Sequence, residues 1–134
     1  MPASFKTLEA HRPRILLVDD DSRAMRMLGR LLQKFGYDVA EQSDSTKVHS
    51  FARRYRPDVM VLDLLMPWKT GNELAEMFAL DEQLCNVPVI FMTGHALLWQ
   101  QLSPSFRVLM KPFSVEEILT GIKEALEQRF AGAT

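Results

Sequence analysis

Five short runs of strand character, RILLVD, YDVAEQ, DVMVLD, VPVIFMT and FRVLM, alternate along this chain with stretches of helical periodicity. That alternation constrains the fold more than any other feature. Strands joined by helical crossovers lie parallel and are covered on both faces, and DVMVLD is nearly all apolar, as a central parallel strand should be. Right-handed crossovers leave few arrangements. The best fit is a doubly wound α/β fold, an open five-stranded parallel sheet in the order 2-1-3-4-5. At 134 residues the chain is one domain with a sizeable core. Residues 1–13 lack a clear period and hold two prolines, so they form an N-terminal arm; residues 14–130 are the domain and 131–134 a C-terminal tail.

The helices carry their own punctuation. In SRAMRMLGRLLQKFG, Ala24, Leu28, Leu31 and Phe35 line one face, Arg23, Arg26, Arg30 and Lys34 lie largely opposite, and Gly36 stands where a C-terminal cap belongs. SDSTKVHSFARRYRP reads as the second helix, stopped by Pro57, with Arg53, Arg54 and Arg56 at its solvated end. TGNELAEMFAL is the third. GHALLWQQLS is a shortened fourth helix or an irregular segment, cut off by Pro104; Leu97, Leu98 and Trp99 either pack on the sheet or stay exposed as a partner surface. In the last helix Ser114 and Glu117 form a capping box, and Val115, Ile118, Leu119, Ile122 and Leu126 form the core stripe. Most of the eight methionines sit at core-compatible positions.

Composition excludes several classes of function. A formal charge of −1 gives the molecule no electrostatic case for binding nucleic acid by itself. No apolar run approaches the length of a membrane span. One cysteine, eight methionines and no signal peptide point to a reducing cytoplasm.

In open α/β sheets the working site lies at the carboxyl ends of the strands, beside the switch point. The first strand ends in Asp19 and Asp20, the third in Asp63, the fourth in Thr93 and the fifth in Lys111 followed by Pro112. Three carboxylates, a hydroxyl and an ammonium therefore converge. Clustered carboxylates raise one another's pKa unless a cation neutralises them, and a hard ion such as Mg²⁺ suits oxygen ligands of this kind. Asp21 is better placed facing solvent at the head of the first helix, where negative charge meets the helix dipole. The ion alone does not call for Asp63, Thr93 and Lys111 together; a phosphoryl group does. A carboxylate can attack phosphorus and carry an acyl phosphate, whose oxygens a lysine, a hydroxyl and a cation would hold. Asp63, central and at the end of the most apolar strand, is the candidate nucleophile. Each residue also has a plainer reading: Asp20 and Asp21 as helix caps, Asp63 as the start of a turn, Thr93 as a strand residue, Lys111 as a solvated lysine. Their coincidence at neighbouring strand ends favours one shared pocket.

ILLVDDD, PDVMVLDLLMPWKTG, VIFMTGHA and LMKPF, in that order, resemble the four signature segments of the receiver domain of two-component response regulators, a flavodoxin-like fold of the chemotaxis-receiver type. The resemblance covers residues 14 to about 130. It implies a signalling switch rather than an enzyme, with at most intrinsic self-phosphorylation and autodephosphorylation. Asp63 would accept phosphate from a histidine kinase or a histidine phosphotransfer protein. Asp19, Asp20, Asp63 and the backbone carbonyl of Leu65 would hold Mg²⁺, and Thr93 and Lys111 would contact the phosphoryl group. The resemblance also implies a cis Lys111–Pro112 bond, an output protein it does not name, and pairing into a homodimer as one option.

Three features depart from the family pattern. Val108 stands where an aromatic residue usually swings inward. The Thr93-to-Lys111 spacing is about one helical turn short of the usual length. Leu65 and His95 occupy positions that modulate attack of water on the acyl phosphate, and Leu65 is expected to screen water and lengthen the phosphoryl lifetime. His95 otherwise reads as a surface histidine, and His11 and His49 carry no functional reading. A pseudo-receiver, an interaction module without phosphorylation, is the main alternative. A phosphohydrolase of the haloacid-dehalogenase type is disfavoured, since it needs an acid where Leu65 stands. A nucleotide-binding domain is disfavoured by the lack of a glycine-rich phosphate loop. With the chain ending near its last helix, either a stand-alone receiver or a piece of a longer regulator or hybrid kinase is expected.

Overall fold

A computed structural model of the chain describes residues 12–95, 97–98 and 106–131. Its strands are β1 Arg14–Val18, β2 Asp38–Gln42, β3 Val59–Asp63, β4 Val89–Thr93 and β5 Arg107–Met110. They pair in parallel in the order β2-β1-β3-β4-β5, as the alternation requires. The helices are α1 Ser22–Lys34, α2 Val48–Tyr55, α3 Gly71–Ala79 and α4 Val115–Ala131. The expected arm lies outside the described residues up to Arg12, and so does the tail beyond Ala131. Much of the expected short helix over 94–103 lies outside them as well; Leu97 is exposed there, and Leu98 packs against the core.

Strand alternation divides the core in two. Leu16, Val18, Met60, Leu62 and Phe91 face α2 and α3, where Val48, Ala52, Leu74 and Phe78 meet them. Ile15, Leu17, Val61, Ile90 and Met92 face α1 and α4, where Met25, Leu32, Ile118 and Ile122 meet them. Every residue of β3 is buried, so Asp63 ends the most enclosed strand.

Local chemistry sets the helix ends. Asp21 accepts the Ala24 amide and caps α1. Thr70 and Glu73 form a reciprocal capping box on α3, and Ser114 and Glu117 form the expected one on α4. The second helix starts later than its sequence pattern indicates. Asp44 accepts the Thr46 amide and sets a 3₁₀ turn over Ser45–Lys47, and α2 proper begins at Val48. It ends on Arg56 in the left-handed region, φ 56°, one residue before Pro57.

The face of α1 differs from the expected stripe. Met25, Gly29 and Leu32 are buried with Leu28 partly so, whereas Ala24 is exposed and Phe35 is 55% exposed. Both stripes have helical spacing and share Leu28. Gly29 lies on the observed stripe, where the bare backbone comes against the side chains of Val39 and Glu41 of β2. Val115 likewise lies outside the α4 stripe, which runs through Ile118, Gly121, Ile122 and Ala125. Met27 is exposed and is no core filler.

Candidate functional site

The pairing register brings the strand ends together. Val18 pairs with Leu62, so Asp19 and Asp63 follow side by side. Thr93 pairs with Met110, and the Lys111 amide donates to the Thr93 carbonyl at 2.7 Å, which brings Lys111 beside the end of β4. The Lys111–Pro112 bond is cis.

The three consecutive acids do three different things. Asp19 is buried; its Oδ1 accepts the Asp21 amide at 3.0 Å and its Oδ2 accepts Lys111 Nζ at 2.8 Å. Asp20 is exposed, and Asp21 caps α1. Asp63 is 8% exposed, with Oδ1 facing the Leu65 amide at 3.4 Å and Oδ2 at 3.5 Å from Lys111 Nζ. One oxygen from each of Asp19, Asp20 and Asp63 lies within 4.8 Å of the others. Thr93 is buried at the end of β4, and its hydroxyl accepts the His95 amide at 3.0 Å. That bond does not use the Thr93 O–H proton, and the hydroxyl donates to no other group among the described residues. His95 is exposed, and Leu65 is 52% exposed at the rim.

Burial, and then the negative charge of Asp19, push the Asp63 carboxyl up to about 6. Burial also pushes Asp19 upward, but the Lys111 ammonium and the Asp21 amide outweigh it and hold Asp19 below the usual carboxylate range. Lys111 is depressed by burial yet raised overall by its bond to Asp19 and the charge of Asp63. This asymmetry is physical: the ammonium sits closer to Asp19, which is therefore the firmly ionised partner. Crowded hard oxygen donors, with one carboxyl held up by burial and by its neighbour's charge, fit a divalent cation such as Mg²⁺.

Two positioning residues escaped the sequence pattern. A Cβ on Gly71 would come within 2.4 Å of the Asp63 carbonyl, so only glycine lets the start of α3 approach the Asp63–Leu64 backbone. Ser45, buried, donates to the Pro67 carbonyl at 2.5 Å and accepts the Lys69 amide at 3.2 Å, which holds the β3–α3 loop beside the site. In the sequence Gly71 stood only inside the run read as the third helix, and Ser45 only inside the run read as the second.

A doubly wound sheet with an acid cluster and a lysine at its carboxyl edge defines a class of α/β domains with a charged pocket at the switch point. Within that class the chain belongs to the response regulator receiver domain family, whose model matches residues 15–123. It is 31% identical over 120 residues to the DNA-binding dual master transcriptional regulator RpaA of Synechocystis, covering 87% of this chain and 50% of that protein. It is 30% identical over 128 residues to hybrid signal transduction histidine kinase D of Dictyostelium discoideum, covering 90% of this chain and 8% of that protein. The chain thus spans about half the length of RpaA and a small part of the kinase. Among solved structures it is similar to chemotaxis protein CheY4 of Vibrio cholerae, at a TM-score of 0.77 and 27% identity over 86% of this chain and 99% of that one. Receiver domains are signalling domains, and no described helix is long and apolar enough to cross a membrane.

Proposed function

We propose that this chain is a phosphoryl-accepting switch working in the cytoplasm, with residues 14–130 as the functional unit. Asp63 is the acceptor. One of its carboxylate oxygens attacks the phosphorus of a phosphohistidine on a histidine kinase or phosphotransfer protein; the P–O bond forms as the P–N bond breaks, and the imidazole leaves. Asp19, Asp20, Asp63 and the Leu65 carbonyl would hold Mg²⁺, which when bound neutralises charge on the phosphoryl oxygens. Lys111 meets the same charge from the β5 side, and Thr93 offers its free hydroxyl proton. The observation that carries this reading is Lys111 Nζ lying 2.8 Å from Asp19 and 3.5 Å from Asp63, inside one three-acid cluster.

The test is incubation with Mg²⁺ and acetyl phosphate. The expected outcome is an acid-stable, base-labile mass gain in the wild type that Asp63→Asn abolishes. No gain with acetyl phosphate and no response to beryllofluoride would instead favour an interaction module without phosphorylation. Leu65 stands two residues after Asp63 and is 52% exposed, and in this reading it screens the acceptor from water; replacing it by asparagine puts a polar group there. Leu65→Asn is expected to speed dephosphorylation by roughly tenfold, a barrier change of about 1.4 kcal/mol. An unchanged decay rate of the phosphoprotein would remove Leu65 from this role.

Val108 favours an output step that differs from an aromatic swing. It is an aliphatic side chain packed against the core, paired across the sheet with Phe91. The aromatic residue on the same face of this segment is Phe106, which meets Phe91 edge-on at 5.3 Å. RpaA is named as a DNA-binding regulator, and the protein that reads this switch is a separate question from the acceptor chemistry.

A further inference from the structure

The amino ends of β3 and β4, opposite the acidic site, carry a cavity of about 300 Å³. Arg53, Arg56 and Arg129 line it from the end of α2 and from α4, beside apolar Pro57, Leu84 and Val87. Arg129 joins Arg53 and Arg56 from a segment far away in sequence, and the acceptor chemistry uses none of the three.

Two of the guanidiniums are anchored along one edge. Arg53 Nε lies 3.5 Å from Asp81 Oδ2 and from Gln83 Oε1. Arg129 Nε donates to Asp58 Oδ1 at 3.3 Å and its Nη1 to the Asn86 carbonyl at 3.3 Å. Among the described residues the terminal nitrogens of Arg53 and Nη2 of Arg129 have no hydrogen-bond partner, so each carboxylate engages one Nε and leaves donors over. The Arg56 side chain has no hydrogen bond or ion pair among the described residues, and it is exposed. It is also held at φ 56°, where glycine or asparagine is the low-cost residue. Asp58 and Asp81 balance two of the three cations, and the third is left over.

We propose that this cavity binds a small phosphate monoester. The three guanidiniums take the phosphate oxygens, and Pro57, Leu84 and Val87 take the attached organic body. Preset guanidinium forks suit a multi-oxygen anion that accepts from several directions. A cavity of this size lies at the small end of ordinary ligand sites.

The test is titration with phenyl phosphate, and separately with inorganic phosphate, followed by amide NMR. EDTA is present and Mg²⁺ absent, so the acidic site repels both anions. Saturable binding of phenyl phosphate is expected, with the largest shifts at 53–57, 83–87 and 129. Inorganic phosphate should bind the same place more weakly; equal affinity would overturn the role given to the apolar residues. Arg56→Gln should weaken binding about tenfold or more, the effect of one charge-assisted hydrogen bond. Arg56→Gly should weaken it as much while relieving the left-handed backbone, so the loss would not reflect misfolding. Asp63→Asn should leave the affinity unchanged. Binding indifferent to Arg56, shifts confined to the acidic site, or no saturation would overturn the proposal.

Discussion

Asp63 shows how a single residue is set by its surroundings. Burial and the adjacent Asp19 charge raise its carboxyl to about 6 from an ordinary 3.8. The folded metal-free protein therefore binds this proton more tightly than the unfolded chain. The stability contributed by the group is fully present below 3.8 and is lost as pH rises through about 6. Above that, the ionised carboxylate is a cost, of about 1–2 kcal/mol after allowing for solvent screening. Asp63→Asn is accordingly expected to stabilise the metal-free protein at pH 8 and to give little gain near pH 4. Urea unfolding in EDTA at both values measures it; a variant less stable than wild type at pH 8 would contradict the electrostatic account. At this scale the sequence was informative about identity but not about pairing. Asp19, Asp63 and Lys111 were all legible as strand-end residues. That Lys111 lies nearer Asp19 than Asp63 depends on side-chain reach across three strands, which no local pattern contains.

Elements were legible in kind and less so in boundary and orientation. All five strands stand where the apolar runs put them, and three helices begin at side-chain caps that chain order displays. The α1 stripe was misplaced by one position, since a hydrophobic pattern does not register a buried residue that has no side chain. Gly29 is such a residue, and Gly71 is another. The Gly71 amide donates to the Leu64 carbonyl at 3.1 Å, closing α3 onto the end of β3. A methyl there would meet the Asp63 carbonyl, a backbone atom that cannot yield without moving the acceptor. Gly71→Ala is expected to cost about 1–3 kcal/mol, the range for inserting a group into packed structure, and to slow acetyl-phosphate labelling. Chemical denaturation and labelling kinetics, read together, would test it; a variant with wild-type stability would mean the contact relaxes freely. His49 had no evident task in the sequence. It stacks on Phe78 and pairs with Asp81 at 2.8 Å, which ties α2 to the turn after α3.

Across the whole molecule the two ends of the sheet carry opposite charge. Carboxylates gather at the carboxyl edge and guanidiniums near the amino edge, although the net charge is only −1. A cation that binds only the folded acid cluster stabilises the entire domain by mass action. Mg²⁺ at a hundred times its dissociation constant would add about 2.7 kcal/mol. The thermal midpoint is expected to rise with Mg²⁺ concentration and to fall back with EDTA, while Asp19→Asn combined with Asp20→Asn removes the response. A shift that survives the double substitution would place the ion elsewhere.

The sequence by itself determined the sheet order, the residues at each strand end and the family, because apolar period, caps and strand-terminal residues are local and written in chain order. Only the tertiary structure decided which stripe of α1 faces the sheet, which acid holds Lys111, how Ser45 and Gly71 fix the loop after β3, and that Arg129 shares one cavity with Arg53 and Arg56. Those outcomes are distances between segments tens of residues apart, and they exist only once the strands are in register and the helices have closed on them.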